Sequence, residues 1–90
     1  MAAKIYTSAG AGQAVDPMQI NIKSVLVTGD GGTASATIKD GNGNAVIKVS
    51  APSNSSASWP AGLNEGSSVP IVGPVTVDVT GTSPFVRIDY

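Results

Sequence analysis

The stretch Thr33-Ala-Ser-Ala-Thr-Ile-Lys-Asp-Gly-Asn-Gly-Asn-Ala-Val-Ile-Lys-Val-Ser50 decides the fold class. Ala34, Ala36 and Ile38 alternate with Thr33, Ser35, Thr37 and Lys39. That period of two places the apolar set on one face of a strand. Asp40-Gly-Asn-Gly-Asn44 follows, in residue types that tolerate positive φ and close hairpins. Ala45, Ile47 and Val49 then alternate on the way back. The spacing predicts a β-hairpin over Thr33–Ser50.

The same pattern extends outward. Val75-Thr-Val-Asp-Val-Thr80 alternates, and so does Phe85–Tyr90, with Val86, Ile88 and Tyr90 on one face; the two read as a C-terminal hairpin. Val69–Val72 reads as a short strand ended by Gly73-Pro74. Gln19–Thr28 reads as one strand with Ile20, Ile22 and Leu26 on one face and Val25 and Val27 on the other. Lys4–Thr7 is a short first strand at most. No window carries a sustained 3.6-residue period, so no long helix is expected. The expectation is an all-β fold: a small β-sandwich or jelly-roll-like domain of six or seven short antiparallel strands.

Two segments fall outside this rhythm. Residues 1–12 include Ser8-Ala-Gly-Ala-Gly12 and read as a flexible N-terminal segment or arm. Residues 13–90 then form a single domain, interrupted by a long polar loop at 52–68 of a length that is usually functional or mobile.

Composition narrows function mainly by exclusion. Ninety residues make one domain. A folded chain of that size buries only roughly 60–65% of the surface its unfolded form exposes. Cysteine and histidine are both absent. No disulfide can brace the fold, and the commonest general base and metal ligands are missing. The absence of thiols fits a reducing compartment. The formal net charge is −1, and charged residues are 12% of the chain. Lys4, Lys23, Lys39, Lys48 and Arg87 are scattered, so no nucleic-acid footprint is expected. No apolar run reaches membrane-spanning length. Met1-Ala-Ala-Lys4 precedes a mixed segment rather than an apolar core, so no signal peptide is expected.

Gly29-Asp-Gly-Gly-Thr-Ala34 formally fits a dinucleotide fingerprint, but a strand follows where the fingerprint needs a helix; a turn is the reading. Asp40-Gly-Asn42-Gly-Asn44 opens like a calcium loop. Its sixth and twelfth positions would be Ala45 and Ala51, which leaves the required glycine and glutamate unfilled. Serines cluster at Ser53–Ser58 with no histidine to activate one. Asp16, Asp30, Asp40, Glu65, Asp78 and Asp89 fall mostly in turns or on outward faces, away from the pairing that glycoside hydrolysis needs. No catalytic residue, cofactor or metal is expected, and the chain reads as a non-enzyme. Trp59, in the polar loop, is open to three roles: partner anchor, ligand platform, or lid packed on its own domain. Trp59, Leu63 and Tyr6 are the candidate partner-binding residues.

Gly31–Pro52, a Thr/Ala-rich strand into an Asp-Gly hairpin, and Pro70–Tyr90, with its Val-Thr-Gly-Thr turn and terminal Val/Ile/Tyr alternation, resemble small all-β structural proteins of tailed bacteriophages. The likeness is to head decoration and cement proteins. It implies a virion component assembled in the host cytoplasm, with itself as partner (a trimer by preference) and with the major capsid protein or other virion proteins. The resemblance implies no catalytic residues. The alternative is a tail- or fibre-associated module that recognises a host surface glycan through Trp59 and the polar loop. Size argues for self-association in either case. A core in so short a chain rarely yields more than about 3–5 kcal/mol, and disulfides and metals are not at hand to add to it.

Overall fold

The computed structural model describes residues 3–59 and 69–90. Ten strands carry them: β1 (Ala3–Tyr6), β2 (Gly10–Asp16), β3 (Ile20–Ile22), β4 (Ser24–Thr28), β5 (Ala34–Lys39), β6 (Ala45–Ala51), β7 (Ser56–Trp59), β8 (Val69–Ile71), β9 (Val75–Thr80) and β10 (Phe85–Asp89). The described residues include no helix. The all-β expectation holds, with more and shorter strands than the six or seven expected.

The pairing is nested around one turn. β5 pairs with β6 across Asp40–Asn44. Moving outward, β4 pairs with β7, β3 with β8, β2 with β9 and β1 with β10, all antiparallel. The chain is thus one long two-stranded ribbon with its tip at residues 40–44. Two further ladders, β10 with β4 and β5 with β9, tie the ribbon to itself. Three antiparallel sheets result, in the orders β1-β10-β4-β7, β2-β9-β5-β6 and β3-β8.

The tip forms for local reasons. Asp40 Oδ1 accepts the backbone N–H groups of Asn42 at 2.9 Å and Asn44 at 3.0 Å. The Asp40 and Asn44 backbones close the loop with a 3.0 Å bond, and Gly43 takes a φ of +81° that side chains resist. Ile38 stands opposite Ile47 but Lys39 opposite Ala45, so Val46 is an extra residue, a β-bulge.

Alternation fills the core. Val75, Val77 and Val79 on β9, and Val86 and Ile88 on β10, are all buried. Inward residues from all three sheets belong to one apolar cluster, built entirely of Val, Ile and Ala among the described buried residues. β-Branched side chains suit this arrangement, because they pack on a pleated surface with little rotamer freedom to lose.

Four expectations need correction. Gln19–Thr28 is not one strand. It breaks at Lys23, whose N–H donates to the Asp89 carbonyl at 2.8 Å, and β3 and β4 lie in different sheets. Ile22 and Val25 are an odd number of positions apart, so an unbroken strand cannot turn both to one face. The break resets the alternation, burying Ile22, Val25 and Val27 and leaving Leu26 exposed. The terminal segments read as a hairpin also do not pair: β9 lies between β2 and β5, whereas β10 lies between β1 and β4 in the other four-stranded sheet.

Residues 1–12, expected as a flexible N-terminal segment or arm, contribute to two edge strands. Ala3–Tyr6 runs along β10, and Gly10–Asp16 runs along β9 with two register shifts. Small residues leave the backbone free to pair, and the long ladder partners are remote in sequence. Finally, the polar loop contains β7, whose Ser56–Trp59 pairs with β4; residues 60–68 lie outside the described residues.

Candidate functional site

Trp59 ends β7, at one edge of the β1-β10-β4-β7 sheet, with Val25 opposite it. On β7, Ser56 and Ser58 are exposed while Ala57 and Trp59 are half-buried. Alternation therefore turns Trp59 to the core side, where it packs against the apolar cluster. Tyr6 ends β1 at the opposite edge of the same sheet, with Val86 opposite. It too packs against the cluster, and its hydroxyl donates to the Ala14 carbonyl at 2.6 Å. That bond joins β1 to β2, across two sheets. Burial raises the Tyr6 phenol above its ordinary pKa, with a smaller contribution from Tyr90.

Tyr6 and Trp59 are thus three ladders apart, on the order of 14 Å at the usual strand spacing. They do not form one site. Leu63 lies outside the described residues.

The carboxylates hold the structure's own donors. Asp16 Oδ1 accepts the Met18 N–H at 2.9 Å. Asp40 caps the ribbon tip, as above. Asp89 accepts Ser24 Oγ at 2.8 Å and Arg87 Nε at 3.1 Å. Asp78 forms an ion pair with Lys39 at 2.7 Å and accepts the Gly12 N–H at 2.7 Å. Among the described residues no cluster of three metal-ligating side chains occurs. Gly29–Ala34 joins β4 to β5 as a turn; a strand follows it.

Asp78 has a readable consequence. The Lys39 ammonium and then the Gly12 amide hold its carboxyl below its ordinary pKa. A depressed folded-state pKa contributes stability that is complete above the unfolded value, about 4, and is lost as pH falls through the folded value. Both side chains are partly exposed, so the expected loss is under about 1 kcal/mol. In urea titrations between pH 6 and pH 2.5, Asp78→Asn should show a shallower acid-side fall than wild type. Parallel curves would remove Asp78 from the acid response.

Sequence alternation did not single out the exposed apolar residues Ile5, Leu26 and Phe85. In the sequence Leu26 falls on the face of Ile20 and Ile22, because the break at Lys23 carries no signal of its own. The signal that finds it is the pair Val25 and Val27, whose burial forces Leu26 outward. No family model, curated protein or solved structure matches this chain.

Proposed function

We propose that this chain is a non-enzymatic structural protein of a tailed-phage particle, a head decoration or cement subunit that stabilises the shell as a homo-oligomer. The observation that supports this most is the strand order. With the β3-β8 pair set aside, eight strands lie in two four-stranded sheets. The consecutive pairs β1/β2, β4/β5, β6/β7 and β9/β10 each pass from one sheet to the other, whereas β5/β6 stay in one. A ribbon wound in this way is a jelly roll, a two-sheet sandwich architecture used by viral capsid domains. Architecture alone does not specify function. The step to a virion protein is by analogy, joined to the resemblance of Gly31–Pro52 and Pro70–Tyr90 to phage proteins.

The resemblance also favours a trimer and a place on the major capsid protein. A glycan-binding module has less support, because Trp59 is half-buried against the core rather than standing free in a loop.

The test is made on particles. Gradient-purified virions from a phage carrying the gene should contain the chain in many copies per head. Heads lacking it should release their DNA at a lower temperature, and the purified chain should restore that temperature. Absence from purified particles, or equal stability of heads with and without it, would refute the proposal.

A further inference from the structure

The tip of the ribbon, Asp40-Gly-Asn-Gly-Asn44, holds a chemistry that the proposed function does not use. An asparagine followed by glycine can lose its side-chain amide without an enzyme. The glycine backbone nitrogen gives up its proton and attacks Cγ of the asparagine. A five-membered succinimide closes as the amide C–N bond breaks and ammonia leaves. Water then adds to one of the two ring carbonyls. Opening on one side gives aspartate. Opening on the other gives isoaspartate, whose main chain runs through the former side-chain carbon. The reaction needs a free side-chain amide, little crowding at the next residue, and a backbone nitrogen that can leave its hydrogen bond.

Asn21, Asn42, Asn44 and Asn54 are the asparagines among the described residues, and the structure separates them. Asn21 lies in β3 opposite Pro70, and the β-branched, buried Ile22 follows it. Asn54 Oδ1 accepts the Gly31 N–H at 3.4 Å, and the next nitrogen, that of Ser55, donates to the Pro52 carbonyl at 3.2 Å. Asn44 is followed by Ala45, which begins β6 opposite Lys39 and carries a Cβ. Asn42 is exposed, and among the described residues no hydrogen bond holds its side chain. A Cβ on the following Gly43 would meet nothing within 4 Å, so that side is open. Asp40-Gly41, the neighbouring acid–glycine pair, is locked: two backbone amides hold the carboxylate, Gly41 donates to the Val72 carbonyl at 2.8 Å, and Gly41 lies against the Gly73 main chain.

One bond opposes the reaction at Asn42. The Gly43 N–H donates to the Asp40 carbonyl at 3.0 Å. Residues 41–46 are all exposed, and a single bond in such a turn opens at little cost. We propose that Asn42 is a site of spontaneous deamidation in the folded protein, with water as the only other reactant. It reacts ahead of Asn21, Asn44 and Asn54. The product adds one negative charge beside Asp40. Its isoaspartate form also opens the tip, because a lengthened main chain no longer fits a turn closed by the Asp40–Gly43 and Asp40–Asn44 bonds. Loop length and turn geometry set the register of a hairpin, so β5 and β6 are the strands that feel it.

This inference is independent of the virion reading. Purified protein, shown to be folded by circular dichroism, is held at 37 °C at pH 7.5 and pH 8.5 beside a sample unfolded in guanidinium chloride. Peptide mass spectrometry locates each amide-to-acid change, and an isoaspartyl methyltransferase counts isoaspartate. The charged groups next to the tip are Asp40 and Lys39, the second paired with Asp78. Asn42 should convert ahead of Asn21, Asn44 and Asn54, and roughly tenfold faster at the higher pH, as the deprotonated nitrogen becomes that much more abundant. Its rate in the folded chain should stay within about tenfold of the unfolded rate, the factor for opening one exposed hydrogen bond. The isoaspartate fraction should unfold at a lower urea concentration than Asn42→Asp, which carries the same charge on an unlengthened chain. A slower folded rate, or earlier conversion at Asn21, Asn44 or Asn54, would overturn the site. Equal urea midpoints for the isoaspartate fraction and Asn42→Asp would overturn the opened tip.

Discussion

Val77→Asp is expected to leave the chain without a cooperative unfolding transition at 25 °C. Val77 lies in the middle of β9, flanked by Gln13 on β2 and Ile38 on β5, and its side chain is fully buried. The described buried residues are all hydrophobic, so no donor waits for a carboxylate there. The variant must either bury an unpaired charge or take up a proton at a raised pKa. The effective penalty is several kcal/mol, of the same size as the whole stability of a small single-core domain. Thr76→Asp is the matching control. Its side chain points outward on the same strand, and it should stay folded within about 0.5 kcal/mol of wild type. Far-UV circular dichroism and urea titration read both. If Val77→Asp melted within a degree or two of wild type, β9 would not be an interior strand.

The second large effect is expected at Gly29, where the chain leaves β4 and crosses toward β5. A Cβ there would stand 2.6 Å from the Pro52 carbonyl oxygen and 2.7 Å from that of Gly32. Both are main-chain atoms, so no side-chain rotation relieves the contact. The approach is close because two crossings meet at this point. Gly29 bridges to Ser53, and its N–H donates to the Ser55 carbonyl at 2.9 Å, where the chain passes from β6 to β7. Gly29→Ala must push these segments apart or break the bond, at a cost of about 2–4 kcal/mol. For a domain of this length that lowers the melting temperature by roughly 10–25 °C. A thermal midpoint within 2 °C of wild type would show that the two crossings are not packed against each other.

Both predictions draw on what alternation cannot reveal. Within a strand, sequence determines a great deal. The period of two in Ala34–Lys39, Val75–Thr80 and Phe85–Asp89 assigns each side chain to a face, and the buried residues of these strands follow it. The hairpin of β5 and β6 was equally legible, because its two halves are joined by a five-residue turn whose Asp, Asn and Gly residues supply the closing bonds. Local signals suffice where the loop to be closed is short.

Which strand lies beside which is a different matter, and only the tertiary structure decided it. Ala3 stands opposite Asp89, nearly the full chain away. The Val/Ile alternation of β10 is as compatible with β9 as with β1 or β4, so the sequence points to the adjacent strand as its neighbour. In the structure β9 and β10 instead occupy different sheets and contribute to one core.

The candidate residues fared similarly. A tryptophan in a serine-rich stretch reads as a free anchor until β4 is found beside it, and Tyr6 reads as part of an arm until β10 and the Ala14 carbonyl receive it. Composition and period determined the class of the fold and the inward face of most strands, because those depend on each strand's own pleat. The strand partners, the break at Lys23 and the exposure of Ile5, Leu26 and Phe85 depend on how the ribbon winds. That winding is set by the joint burial of side chains far apart in the chain, and no single segment encodes it.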